Sequence, residues 1–113
     1  MRDDWTAAEK KIARRAYEAA RQTALAATFA EFKAKVAAAT TIDDMWSVGE
    51  ALRQRRRELD ELLDYRYSQL EVVFGRLIFE GHLDETQLAG LSQEKMQGIR
   101  RYVDFMRAPE KIK

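Results

Sequence analysis

The sequence predicts an all-α protein: a long antiparallel helical hairpin, or stalk, carrying a small helical head, with two copies joined as a homodimer. Three observations predict it. Between Thr41 and Glu80 no proline interrupts the chain, and leucine and methionine recur at seven-residue steps, first Met45, Leu52 and Leu59, then Leu63, Leu70 and Leu77. That is the signature of one amphipathic helix face. The composition agrees, with 35% charged residues, five glycines and a single proline in 113 residues, as expected of a helical domain rather than a sheet. Helix-capping signals recur at the borders of the periodic stretches.

The elements follow in order. Thr6 and Glu9 form a Thr-x-x-Glu capping box with Trp5 at the staple position, so a first helix starts there and runs to about Ala39. Its large apolar residues are Ile12, Tyr17, Leu25, Phe29, Phe32 and Val36, and the last four alternate as a buried face does. Ala13, Ala16, Ala20, Ala24 and Ala27 let a neighbouring helix approach closely. Thr41 caps the second helix, with Asp43 and Asp44 at the positive end of its dipole. A helix from there to Glu80 is roughly 60 Å long, longer than a domain of this size is wide, so it protrudes or pairs. Gly81 ends it, the Asp84/Gln87 pair starts a short third helix over 85–89, and Ser92 caps a fourth that runs to about Met106. Leu83, Leu88, Leu91, Met96, Ile99, Tyr102, Val103 and Phe105 are expected to cluster with Phe74, Leu77 and Ile78. The whole is one domain, residues 1–113, with stalk about 6–80, head about 81–107 and a frayed tail beyond, at Pro109 and Glu110-Lys111-Ile112-Lys113.

Several function classes recede at once. The net charge of +1 gives no field that draws nucleic acid or membrane. The basic run Arg53, Arg55, Arg56 and Arg57 is followed by Glu58, Asp60, Glu61 and Asp64, so Arg56–Asp60 and Arg57–Glu61 pairs at four-residue spacing neutralise it. There is no cysteine and only one histidine, His82, so no metal set, no nucleophile–base pair and no cofactor are expected, and the protein reads as a non-enzyme. With no apolar signal region or spanning segment in sight, the default location is the cytoplasm.

The residues left for function lie on the second helix. Met45, Leu52, Leu59 and Leu63 lie on the apolar stripe and, with Ile42, are the expected dimer interface. Trp46, Glu50, Arg53 and Arg57 fall together about 100° away, while Arg56 lies within the stripe and Gly49 at its edge. A tryptophan among charges off the core stripe is either packed on a neighbouring helix or an interface anchor.

The ordered landmarks carry a resemblance. They are Trp5-Thr6-Ala7-Ala8-Glu9, Ile42-Asp43-Asp44-Met45-Trp46, Arg56-Arg57-Glu58-Leu59-Asp60, Asp64-Tyr65-Arg66-Tyr67-Ser68, Glu80-Gly81-His82-Leu83 and Gly90-Leu91-Ser92-Gln93-Glu94-Lys95. The series resembles the fluorescence recovery protein family of cyanobacteria and its bacterial homologues. The resemblance implies a helical homodimer that binds the orange carotenoid protein, or a related carotenoid-binding protein, and speeds its return from the photoactivated red form to the orange form. That return ends phycobilisome fluorescence quenching. By the same resemblance the partner-binding patch maps to Trp46, Gly49, Glu50 and Arg56, to which the sequence adds Arg53. Gly49 stands where the family has histidine, Glu50 replaces aspartate, and Leu62-Leu63 replaces a Lys-Tyr pair. The alternative is a homologous helical dimer that binds a different protein in a bacterium without phycobilisomes.

Overall fold

The computed structural model describes residues 4–108. Helix α1 spans Ala7–Ala38, α2 Ile42–Leu62, α3 Leu70–Phe79 and α4 Gln93–Arg107, with a 3-10 turn at Glu85–Leu88 between the last two. No strand occurs among the described residues. The all-α prediction holds.

Local chemistry sets the helix ends. Thr6 Oγ1 accepts the Glu9 N–H at 3.0 Å, and the Glu9 carboxylate accepts the Thr6 N–H at 3.0 Å, completing the capping box. At the hairpin turn the same box is built from Thr41 and Asp44. Asp44 also accepts the Thr40 N–H at 2.9 Å and the Thr40 hydroxyl at 3.1 Å. These bonds, led by those from Thr40, hold its carboxyl below the usual range. Asp84 and Gln87 cap one another as expected, though what they open is a 3-10 turn rather than an α-helix. Gly81, at φ +86°, closes α3. Its N–H donates to the Ile78 carbonyl at 3.0 Å, while the His82 N–H reaches the Leu77 carbonyl at 2.9 Å. That pair of bonds is a Schellman closure.

The second helix is not continuous to Glu80. It stops at Leu62, and residues 63–69 cross to α3 without helical pairing. The cause lies on α1. Tyr17 Oη donates to the Leu63 carbonyl at 3.0 Å, taking the acceptor that the next helical turn needs. Tyr65 meets Tyr17 edge-on, with ring centroids 4.8 Å apart, and lies under the Arg14 guanidinium at 4.0 Å. Tyr67 packs on Trp5 at 5.8 Å. Aromatic burial against α1 therefore outweighs the local preference for helix. As a result α3 packs with α4 and belongs to the head, not to the stalk.

The core sits in that head and along the first half of α1. Leu70, Phe74, Leu77, Leu88 and Ile99 are fully buried. Ala13, Ala16, Ala20 and Ala24 form a buried small-residue floor on α1. Gly75 lets α3 and α4 touch, since a Cβ there would come within 2.8 Å of the Tyr102 ring. The buried Glu9 carboxylate joins two helix starts, because it also accepts the Ser92 N–H at 2.8 Å and pairs with Lys95 Nζ at 3.3 Å. Lys95 in turn donates to the Asp4 carbonyl at 2.9 Å and lies over the Trp5 ring. Burial pushes the Glu9 carboxyl up, but the bonds from Thr6, Ser92 and Lys95 together bring it below its usual range.

Two expectations about burial fail. Of the four residues expected to line the buried face of α1, only Phe32 is buried; Leu25, Phe29 and Val36 are exposed. Phe105 stands 69% exposed outside the head cluster, with its ring centroid 6.3 Å from that of Tyr102. Both errors have one cause. Periodicity groups residues on a face but does not say what covers it. The expected frayed tail, from Pro109 on, lies outside the described residues.

Candidate protein-interaction site

The site is the distal part of the α1/α2 hairpin. Here the two helices are capped and hydrogen-bonded but bury almost nothing. Every residue of α2 from Ile42 to Ser47 is exposed, Val48 and Gly49 are half-buried, and full burial begins only at Leu59. Ile42 is 61% exposed, Met45 42% and Leu52 45%, and Leu25, Phe29 and Val36 of α1 stand open beside them. Together they leave an apolar surface with no cover among the described residues, the kind of patch from which interaction faces are built.

Two adjoining concavities lie between α1 and α2. The outer one, about 610 Å³, is lined by Leu25, Phe29, Phe32, Val36 and Leu52. The inner one, about 810 Å³, has a floor of Tyr17, Leu25, Leu52, Leu59 and Leu63 and a rim of Arg21, Arg53 and Arg56. Arg55, which also lines this concavity, pairs with Glu58 at 3.3 Å and with Glu31 of α1 at 3.7 Å, tying the two helices together. Among the described residues the expected Arg56–Asp60 and Arg57–Glu61 pairs do not form; Arg57 donates instead to Gln54.

The structure distributes the sequence candidates as follows. Gly49, Arg53 and Arg56 line the inner concavity. Trp46 is 65% exposed, so it does not pack on a neighbouring helix of its own chain. Glu50 is exposed one turn further along α2. Of the five expected dimer residues, Ile42, Met45 and Leu52 are open, whereas Leu59 is buried within the chain and Leu63 packs against its core. Sequence reasoning missed Leu25, Phe29 and Val36 as members of the open face, because their spacing is that of any core stripe. His82 is half-buried, with Nε2 3.7 Å from the Glu80 carboxylate at the end of α3 and remote from these residues in the chain.

Among the described residues no group of side chains could hold a metal ion, and no helix is long and apolar enough to cross a membrane. An open apolar groove with a cationic rim, on a hairpin that also exposes a tryptophan, is what a helical protein-binding protein presents. The chain belongs to the family of the photoprotection regulator fluorescence recovery protein, which it matches over residues 5–102. It is 31% identical to the fluorescence recovery protein of Synechocystis sp. over 96 residues, covering 85% of this chain and 88% of that one. The solved fluorescence recovery protein of Fremyella diplosiphon superposes with a TM-score of 0.83 at 29% identity, covering 88% of this chain and 98% of that one. That of Synechocystis sp. PCC 6803 gives 0.82 at 30% identity, covering 88% and 97%.

Proposed function

We propose that this protein is a non-enzymatic, homodimeric regulator that binds the orange carotenoid protein, or a related carotenoid-binding protein, and accelerates its return from the photoactivated red form to the orange form. Phycobilisome fluorescence quenching then ends. One observation supports the reading beyond family membership: the distal hairpin leaves its apolar groove uncovered, and Trp46 of the same hairpin is exposed. A second copy fits the groove, because a self-complementary contact hides Ile42, Met45 and Leu52 of both chains at once. Trp46 and Glu50, with Arg53 and Arg56 at the rim, then form the patch for the carotenoid protein.

The mechanism is differential binding. A regulator that binds the compact form more tightly than the opened one shifts the population toward it, by no more than the difference in affinity. No bond is made or broken by this chain. The test follows dark recovery of a photoactivated orange carotenoid protein by absorbance, with and without this protein. Faster recovery and a complex on gel filtration are expected; an unchanged rate with no complex overturns the reading. Light scattering at micromolar concentration is expected to give twice the protomer mass.

A further inference from the structure

We propose that Met45 is an oxidation site, at which hydrogen peroxide converts the thioether to the sulfoxide and so weakens the contact between two copies. The proposal rests on the homodimer reading given above. The chain has no cysteine, so no thiol of its own competes for a two-electron oxidant, and its softest nucleophiles are the sulfurs of four methionines. Met1 lies outside the described residues. Met96 is half-buried and packs against the head core, and Met106 is half-buried near the end of α4. Met45 is the exposed methionine among the described residues, at 42%. Its place on α2 keeps it open. Gly49, one turn further on, has no side chain, and nothing lies within 4 Å of where its Cβ would stand, so the stripe offers no cover from that side.

The step balances without a cofactor. A lone pair on the Met45 sulfur attacks one peroxide oxygen; an S–O bond forms and the O–O bond breaks. The proton of the transferred oxygen joins the departing hydroxide, which leaves as water. Sulfur gives up two electrons and peroxide takes them. A sulfoxide reductase reverses the change: two thiols are oxidised to a disulfide, water is released and the thioether returns. The effect on the two states is unequal. In the separate protomer the sulfoxide stays in water, because Met45 is exposed there, and the fold is untouched. In the dimer it brings a strong dipole and a hydrogen-bond acceptor to a face of Leu25, Phe29, Val36, Ile42 and Leu52, none of which carries a side-chain donor. A two-fold contact holds the modified residue of both copies, so the change enters twice. Association in turn covers Met45 and protects it.

The full chain is treated with hydrogen peroxide at a low and a high protein concentration, and sulfoxide is located by tryptic mass mapping, which places each methionine in its own peptide. Met45 is expected to oxidise faster than Met96 and Met106, and more slowly at the high concentration, while Met96 shows no such dependence. By light scattering, oxidation should raise the dissociation constant of the dimer by at least about tenfold, with helicity by circular dichroism kept. Sulfoxide reductase with dithiothreitol should restore the starting value. In Met45→Leu, close in volume but without sulfur, the dissociation constant measured before peroxide should not move after it. Oxidation of Met96 or Met106 as fast as that of Met45 overturns the proposal. So does a dimer that survives the sulfoxide at Met45, a loss of helicity, or a Met45→Leu chain that responds to peroxide as the wild type does. A wild-type chain that is monomeric before any peroxide overturns the homodimer reading, and this proposal with it.

Discussion

The two ends of α1 pose the same problem and solve it differently. Near its start, Trp5, Ala13, Ala16 and Tyr17 are covered by the bend and the head, and even the charged Glu9 is buried with partners for its carboxylate. Near its end, Leu25, Phe29 and Val36 are as apolar but stand open, as do the residues of α2 that face the same groove. The first end is a finished core. The second stays open among the described residues and is the surface proposed for a partner.

The largest expected effects test that contrast directly. Leu77 is fully buried in the head, so Leu77→Ala should cost about 2–5 kcal/mol and lower the melting temperature by many degrees. Leu59→Glu places a charge in the finished region and should unfold the chain, seen as lost helicity. Leu52→Glu, on the same stripe two turns earlier but 45% exposed, should halve the mass seen by light scattering while helicity stays. If Leu52→Glu unfolds the protein as Leu59→Glu does, the open end is not an interface.

Acid should act most on the finished end. The Glu9 carboxyl titrates below its unfolded value, so the stability it gives is complete above about pH 4.5 and is lost as pH falls through the folded pKa. Glu71 has the opposite sign: burial raises its carboxyl, so its charge opposes folding at neutral pH and protonation relieves it. Glu9→Gln should lower stability at neutral pH and flatten the acid limb of a melting-temperature profile. Glu71→Gln should raise stability at neutral pH and leave that limb in place. A Glu9→Gln profile parallel to wild type would show that the carboxylate does not hold the two helix starts together.

A smaller effect distinguishes binding from folding at the open end. Trp46→Ala should leave mass and melting temperature unchanged and weaken binding to the carotenoid protein by about thirtyfold, the usual consequence of removing a central aromatic anchor at about 2 kcal/mol. Loss of the dimer in this variant would instead place Trp46 inside the contact between copies.

How much of this was legible in the sequence follows from the range of each interaction. The caps at Thr6, Thr41, Asp84 and Ser92 could be read directly, because each partner lies within three residues. The end of α2 could not, since its cause is a bond from Tyr17, 46 residues away. The departure of Trp46 from the apolar stripe was visible, but not whether a neighbouring helix covered it. The openness of Phe29 and the internal burial of Leu59 were not, because one period describes both a covered face and an uncovered one.

The smallest effect concerns Gly49, where the two ends differ in what a missing side chain means. At Gly90 the backbone has φ +106° and a Cβ would come within 2.5 Å of Ile12, so the finished end needs its glycine. At Gly49, inside α2, φ is ordinary and a Cβ would meet nothing within 4 Å. Glycine in a helix interior is worth about 1 kcal/mol less than alanine. Gly49→Ala should therefore stabilise the protein by up to about 1 kcal/mol, raising the melting temperature by a few degrees. Gly90→Ala should lower it. The notch at Gly49 opens into the groove between α1 and α2 beside Leu52, Arg53 and Arg56, so the same substitution probes the open surface as well. If Gly49→Ala stabilises the chain but lowers the dimer mass, the notch receives a side chain of the second copy. If mass and stability both hold or rise, Gly49 is free for the carotenoid protein.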